Sequence, residues 1–195
     1  MSRTRNRILM LLENNCFPND TRVLLEAHSL VEAGFVVTVI SPTGGYQKWS
    51  DWVGDIKVYR YPAPPEWNGV AGYVVEYAYS FCMALLISLY ALLRRGVDAI
   101  HVHSPPDLNS LIPFLYRVLG KKSVFDMHDL SPELYQAQKG GNASGLLTSG
   151  LRFFERFACR WGHKLISTNE TQRAIQIERC GADPAKCHIV RNGPN

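Results

Sequence analysis

The residues best suited to chemistry lie in Ser123–Tyr135, SVFDMHDLSPELY, where a short apolar run ends in His128 and Asp129. Ser131, Pro132 and Glu133 follow, the signature of a helix start with a hydroxyl cap, an early proline and an early carboxylate. A strand that delivers an imidazole and a carboxylate to its carboxyl end, just before a helix, is where open α/β sheets place their chemistry. Asp126, two residues before His128, faces the same way but deeper, where it can orient the imidazole. Asp129 reads either as a partner in that chemistry or as a turn residue. A second run, DAIHVHSPPDL, carries His101 and His103 on one side of a strand, with Asp107 just beyond its end. His103, Asp107, His128 and Asp129 are therefore expected on one rim. A His-x-His pair near carboxylates also fits a metal, but such pairs are commonly plain strand residues, and no metal is expected. Asp20 and Arg22, opening the first helix, read equally as a helix-end ion pair or as part of the rim.

The elements that must position these groups alternate strand-length apolar runs with helical patterns, the mark of a parallel sheet with crossover helices. Strands are expected at Arg7–Leu12, Phe35–Ile40, Ile56–Tyr61, Asp98–His103, Lys122–His128, Lys164–Thr168 and His188–Val190. Helices are expected from a cap at Asn19, Asp20 or Thr21 to Ala33, and over Gly72–Arg95, Asp107–Leu119, Leu146–Trp161 and Glu170–Cys180. Ser41–Trp52 reads as a loop, Pro62, Pro64 and Pro65 as an extended connection, and Gly140-Gly141 with Asn142 as a mobile one. The fold class is thus α/β, a doubly wound Rossmann-like parallel sheet of about seven strands. The loop after the first strand, ENNCFPND, has no glycine, which argues against a nicotinamide or flavin cofactor. Gly-x-Ser-x-Gly, Walker and His-Glu-x-x-His motifs are absent from the sequence, which leaves hydrolase, ATPase and zincin readings without support.

The 195 residues suffice for one well-buried domain, and 46% hydrophobic with 19% charged content is globular. A net charge of +4 permits contact with phosphates or an anionic surface without requiring either, and no basic run with interleaved aromatics points to nucleic acid. Five scattered cysteines without a Cys-x-x-Cys pair fit neither a disulfide framework nor a zinc site and suit a reducing cytoplasm. The basic start MSRTRNR precedes an apolar run, Ile8–Leu12, too short for a signal core.

Val70–Leu93 carries one charge, Glu76, and is long enough to span a bilayer. It also sits between strands that need a crossover helix, so a core helix is the first reading, a peripheral membrane face the second and a true span the last. The tyrosines at 73, 77, 79 and 90 and the Arg94-Arg95 pair suit either headgroups or a capped core helix.

The segments PNDTRVLLEAHSLVEAGFVVTVISP, DAIHVHSPPDL, VFDMHDLSPELY and HIVRNGPN, in this order, resemble the amino-terminal half of family-four retaining glycosyltransferases of GT-B fold. That resemblance implies two facing Rossmann-like domains, the amino-terminal one holding the acceptor and the other the nucleotide-sugar. It implies an active-site role for His128 against the donor sugar, with Asp126 or Asp129 orienting it, and places Asp20 and Arg22 beside the acceptor and donor groove. Many relatives carry paired glycines after the first strand, where this chain has Asn15-Cys16-Phe17-Pro18. Residues 1–190 match the family's amino-terminal domain, and 191–195 match the start of the linker to its second domain.

The expectation is therefore a hexosyl-type transferase half, needing no cofactor beyond its nucleotide-sugar substrate and inactive without its carboxyl-terminal donor-binding domain. The expected partners are that domain and a sugar or lipid-linked acceptor, with peripheral membrane contact through Tyr73 to Leu93. The expected location is the cytoplasm, at the inner face of the membrane. A binding half of a split transferase, recruiting a catalytic subunit, and half of a sugar-nucleotide epimerase are the alternatives.

Overall fold

The computed structural model describes residues 6–46, 48–63, 69–140 and 143–191. Short runs of β-branched and large apolar residues favour extended backbone buried on both faces. The strands are β1 (Arg7–Leu11), β2 (Val36–Pro42), β3 (Ser50–Val53), β4 (Ile56–Tyr61), β5 (Ala99–Ser104), β6 (Lys122–Met127), β7 (Lys164–Ser167) and β8 (Cys187–Ile189). They form one eight-stranded sheet in the order β3-β4-β2-β1-β5-β6-β7-β8. Every pairing is parallel except that of β3 with β4. Order reverses between β1 and β5, which puts a crevice at their carboxyl ends.

The helices are α1 (Thr21–Glu32), α2 (Gly69–Arg95), α3 (Leu111–Tyr116), α4 (Ser131–Lys139), α5 (Gly145–Trp161) and α6 (Glu170–Ala174). Asp20 caps α1, its carboxylate accepting the Val23 N–H at 3.0 Å. The far end closes on Gly34 at φ +90, with the Phe35 N–H donating to the Leu30 carbonyl and the Gly34 N–H to that of Val31. This turn starts β2 one residue later than the apolar pattern suggests.

Three local expectations are corrected. Ser41–Trp52 is not all loop, because Ser50–Val53 pairs antiparallel with β4 as an edge strand. Its SDWV run is short and opens with Ser and Asp, which read as turn residues; the hairpin at Gly54 (φ +56) brings it alongside β4. Asp107–Leu119 is not one helix: a 3-10 turn at Asp107–Ser110 leads into α3 and another at Arg117–Leu119 ends it. Pro113 has no N–H with which to extend an α-ladder back to Asn109. Ser131 is not the cap of α4: Leu130 holds that position, and the Ser131 hydroxyl turns inward beside Asp107. The expected features at Pro64, Pro65, Gly141, Asn142 and residues 192–195 lie outside the described residues.

Alternation along the strands divides the core in two. Leu9, Leu11, Ile100, Val102, Phe125, Met127 and Leu165 pack towards α2, α3 and α5. Met10, Leu12, Val37, Val39 and Val58 pack on the opposite face, against Val23 and Ala27 of α1. The long apolar α2 is a crossover helix that beds on the sheet through Ser80, Ala84, Ser88 and Ala91, residues small enough for close approach. Its two buried serines are satisfied: Ser80 Oγ donates to Glu13 Oε1 at 2.9 Å, and Ser88 Oγ lies 2.9 Å from the Tyr116 hydroxyl. His101, His103 and Asp126 have the opposite parity to the α2-side residues. They therefore stand on the α1 side of the sheet.

Candidate functional site

The register of β5 on β6 sets His103 beside Asp126. Asp126 is fully buried, and the guanidinium of Arg22, reaching from the first turn of α1, donates to its two oxygens at 2.7 and 2.9 Å. Arg22 Nε donates to Glu26 Oε1 at 3.0 Å, an i,i+4 pair on α1. Three imidazoles complete the cluster: His128 Nε2 lies 3.3 Å from Asp126 Oδ2 and 3.1 Å from His103 Nδ1, and His101 Nε2 lies 3.7 Å from Asp126 Oδ2. His128 is 17% exposed, so its ring is held on one edge and reaches solvent on another. Gln172 fixes the backbone there, its Nε2 donating to the His128 carbonyl at 2.9 Å.

Electrostatics divide these groups by role. Burial pushes the Asp126 carboxyl up, but His101 and His128 against it outweigh that effect and hold it well below the usual carboxylate range. Arg22 acts in the same direction, and Asp126 stays ionised. Burial, with His101 next to it, holds His103 well below the ordinary histidine range, so it is a neutral imidazole. Burial and the Asp126 charge push Glu26 up to about 8, against the opposing pull of Arg22, so it retains a proton at pH 7.

Glu26, His101, His103 and Asp126 present ligand atoms within 4.8 Å of one another, a donor set of the kind that holds divalent cations. The guanidinium already chelating both Asp126 oxygens supplies the positive charge a metal would bring, and a cation added there would stand against it.

The other expected site residues have different surroundings. Asp20 is engaged as the α1 cap. Asp129 is exposed in the bend after β6. Asp107 is not brought into the histidine cluster. It is buried on the other side of the sheet, with Ser131, Ser104, Glu155 and Arg179 around it, and burial pushes its carboxyl up to about 7. Arg179 bridges Glu133 and the buried Glu155 nearby. Glu26 and Gln172 are additions to the expected set. The Arg22/Glu26 spacing on α1 was a visible signal for the first, whereas Gln172 joins through tertiary packing alone.

A polar cavity of about 580 Å3 opens at the carboxyl ends of the strands, lined among others by Glu13, Asn15, Asn19, Pro105, Ser131 and Tyr135. Burial pushes Glu13 up to about 7 against the hydrogen bond from Ser80. Gly44 closes one wall: a Cβ there would lie 2.3 Å from Cys16.

A parallel sheet with this switch point, a charged cluster on one side and a polar crevice at its rim defines a Rossmann-like half of the GT-B architecture. Residues 20–193 match the glycosyl transferase 4-like domain, and the chain belongs to that family of glycosyltransferase domains. Among solved structures, sucrose-phosphate synthase from Thermosynechococcus elongatus superposes with a TM-score of 0.70 at 16% identity, over 98% of this chain and 49% of that one. The catalytic domain of starch synthase IV from Arabidopsis thaliana, bound to ADP and acarbose, superposes with a TM-score of 0.62 at 14% identity, over 97% and 52%. The chain thus spans about half the length of these GT-B neighbours.

Proposed function

We propose that this domain is the acceptor side of a nucleotide-sugar-dependent glycosyltransferase that moves a hexosyl group, with retention, to a glycan or lipid-linked acceptor. The observation that carries this reading is the His128 ring, held on one edge by ionised Asp126 and neutral His103 and open to solvent on another, within a glycosyltransferase-family domain. A fixed imidazole at the rim suits stabilisation of a sugar as positive charge develops at its anomeric carbon and the diphosphate leaves. His128 is the catalytic residue. Asp126, His103 and Arg22 are positioning residues, with Asp129 at the cleft edge. The polar crevice between Glu13 and Tyr135 suits the hydroxyls of the acceptor, and Asp107 lies behind its wall, not in it.

The donor's nucleotide is assigned to a second, carboxyl-terminal domain, and this chain alone is expected to turn over little or no sugar nucleotide. No metal is assigned, because Arg22 already neutralises the carboxylate that would bind one. The outward stripe of α2, running through Leu86, Leu89 and Leu93, favours peripheral contact with a membrane carrying a lipid-linked acceptor, at the cytoplasmic face.

The test joins this chain to a donor-binding half and measures turnover of UDP- or GDP-sugars. His128→Ala is expected to lower kcat by about 100-fold or more, in the range seen when a transition-state-stabilising group is removed. Full activity in that variant would remove His128 from the mechanism.

A further inference from the structure

Large apolar side chains are exposed on the sheet side that carries α2, and they continue beyond it. On α5 the rings of Phe153, Phe157 and Trp161 follow one another at i, i+4 and i+8, and Phe114 of α3 joins them, 5.1 Å from Phe157 and 5.2 Å from Trp161. Two aliphatic residues of the same segments are almost wholly in solvent: Val118, next to Arg117, at 90% and Leu146, two turns before Phe153 on α5, at 86%. A contiguous exposed surface of this kind marks an interaction site.

The exposed charges on these two segments are basic, with the Glu133 carboxylate of α4 near Arg152 at one margin. Leu111–Lys122 and α5 together contain a single acid, Glu155, and it is buried against Arg179. The exposed charges are Arg152, Arg156 and Arg160 on α5, with Arg117, whose guanidinium stacks 5.3 Å over the Trp161 ring, and Lys122.

We propose that the outer face of α3 and α5 is a docking surface for an anionic lipid bilayer. Its aromatic ladder and aliphatics enter the headgroup boundary while the arginines meet lipid phosphates. A second copy of the chain fits less well, since a two-fold interface would set one basic face against another. Nucleic acid would pair with the arginines and rings but leave Val118 and Leu146 without a partner. Membrane contact thereby involves a pair of helices separate from α2.

The chain is co-sedimented with vesicles of phosphatidylcholine alone and with about 30% phosphatidylglycerol added. Binding to the anionic vesicles is expected, weakened by salt. The double variant Arg152→Glu/Arg156→Glu is expected to bind about 30-fold more weakly or worse, at about fivefold per arginine lost. Val118→Asp is also expected to bind more weakly, with both near-ultraviolet spectra unchanged. Leu86→Gln/Leu93→Gln tests α2 separately. Loss of binding only in the α2 variant would overturn the α3–α5 surface and leave the α2 reading standing. No vesicle binding by the unmodified chain would overturn both. A dimer dissolved by Val118→Asp, or binding to RNA in preference to anionic vesicles, would overturn the lipid assignment.

Discussion

Asp126 and Asp107 belong to adjacent parts of one sheet, the first inside β6 and the second just past β5, and both are buried to within 1%. They nevertheless reach opposite states. Asp126 has a guanidinium on both oxygens and three imidazoles around it, and it remains ionised. Asp107 faces hydroxyls, with the nearby Arg179 already committed to Glu133 and Glu155, and it titrates only at about 7. Burial is common to both, so the neighbours decide the charge. The difference also separates roles. The ionised carboxylate holds an imidazole that reaches solvent, and the near-neutral one packs behind the crevice wall.

The contrast breaks most severely if Arg22 is removed. Arg22→Met leaves an ionised carboxylate buried without its cation, and urea denaturation at pH 7 is expected to show a loss of about 3–5 kcal/mol. Asp126 has a depressed folded-state pKa, so its contribution is present above the ordinary carboxylate range and is lost as pH falls through the folded value. The deficit of the variant should therefore shrink in acid.

Asp107→Asn should act in the opposite direction. The folded pKa of Asp107 is raised from 3.8 to about 7, so wild-type stability is fullest below about 4 and is eroded as pH rises towards 7. The variant escapes that penalty. It is expected to gain up to about 4 kcal/mol over wild type at pH 8, at about 1.36 kcal/mol for each pH unit separating the folded and unfolded values, and little at pH 4. A loss of stability at pH 8 would show that the carboxylate is stabilised there. Gln172→Ala, which frees the His128 carbonyl, should cost about 1–2 kcal/mol and lower transferase turnover in the joined enzyme through the looser imidazole. Asp20→Ala should cost about 1 kcal/mol as a lost cap, whereas Asp129→Ala, at an exposed bend, should stay within about 0.5 kcal/mol.

Much of this arrangement could be read from the chain itself. The Val- and Ile-rich runs mark the parallel strands, because strands covered on both faces need continuous apolar sequence. The two-residue period places His101 with His103 and Asp126 with His128, which brings the histidine cluster within reach of inspection. The edge strand Ser50–Val53 escapes because its pairing depends on a hairpin turn and not on its own propensity. Asp107 misleads for a related reason. Three residues past a strand can turn to either side of a sheet, and the Pro105-Pro106 segment carries it to the α2 side, where Ser131 also turns inward instead of capping its helix. The pairing of Arg22 with Asp126 joins residues 104 positions apart, and no local pattern announces it.

The most direct test of this division follows the two carboxyl carbons by NMR as pH is varied in the intact chain. Asp126 is expected to remain ionised down to acid unfolding, and Asp107 to titrate near 7. Titration of both near 4, or of Asp126 at the higher pH, would contradict the account of one permanently ionised cluster and one buried carboxyl that titrates near neutrality.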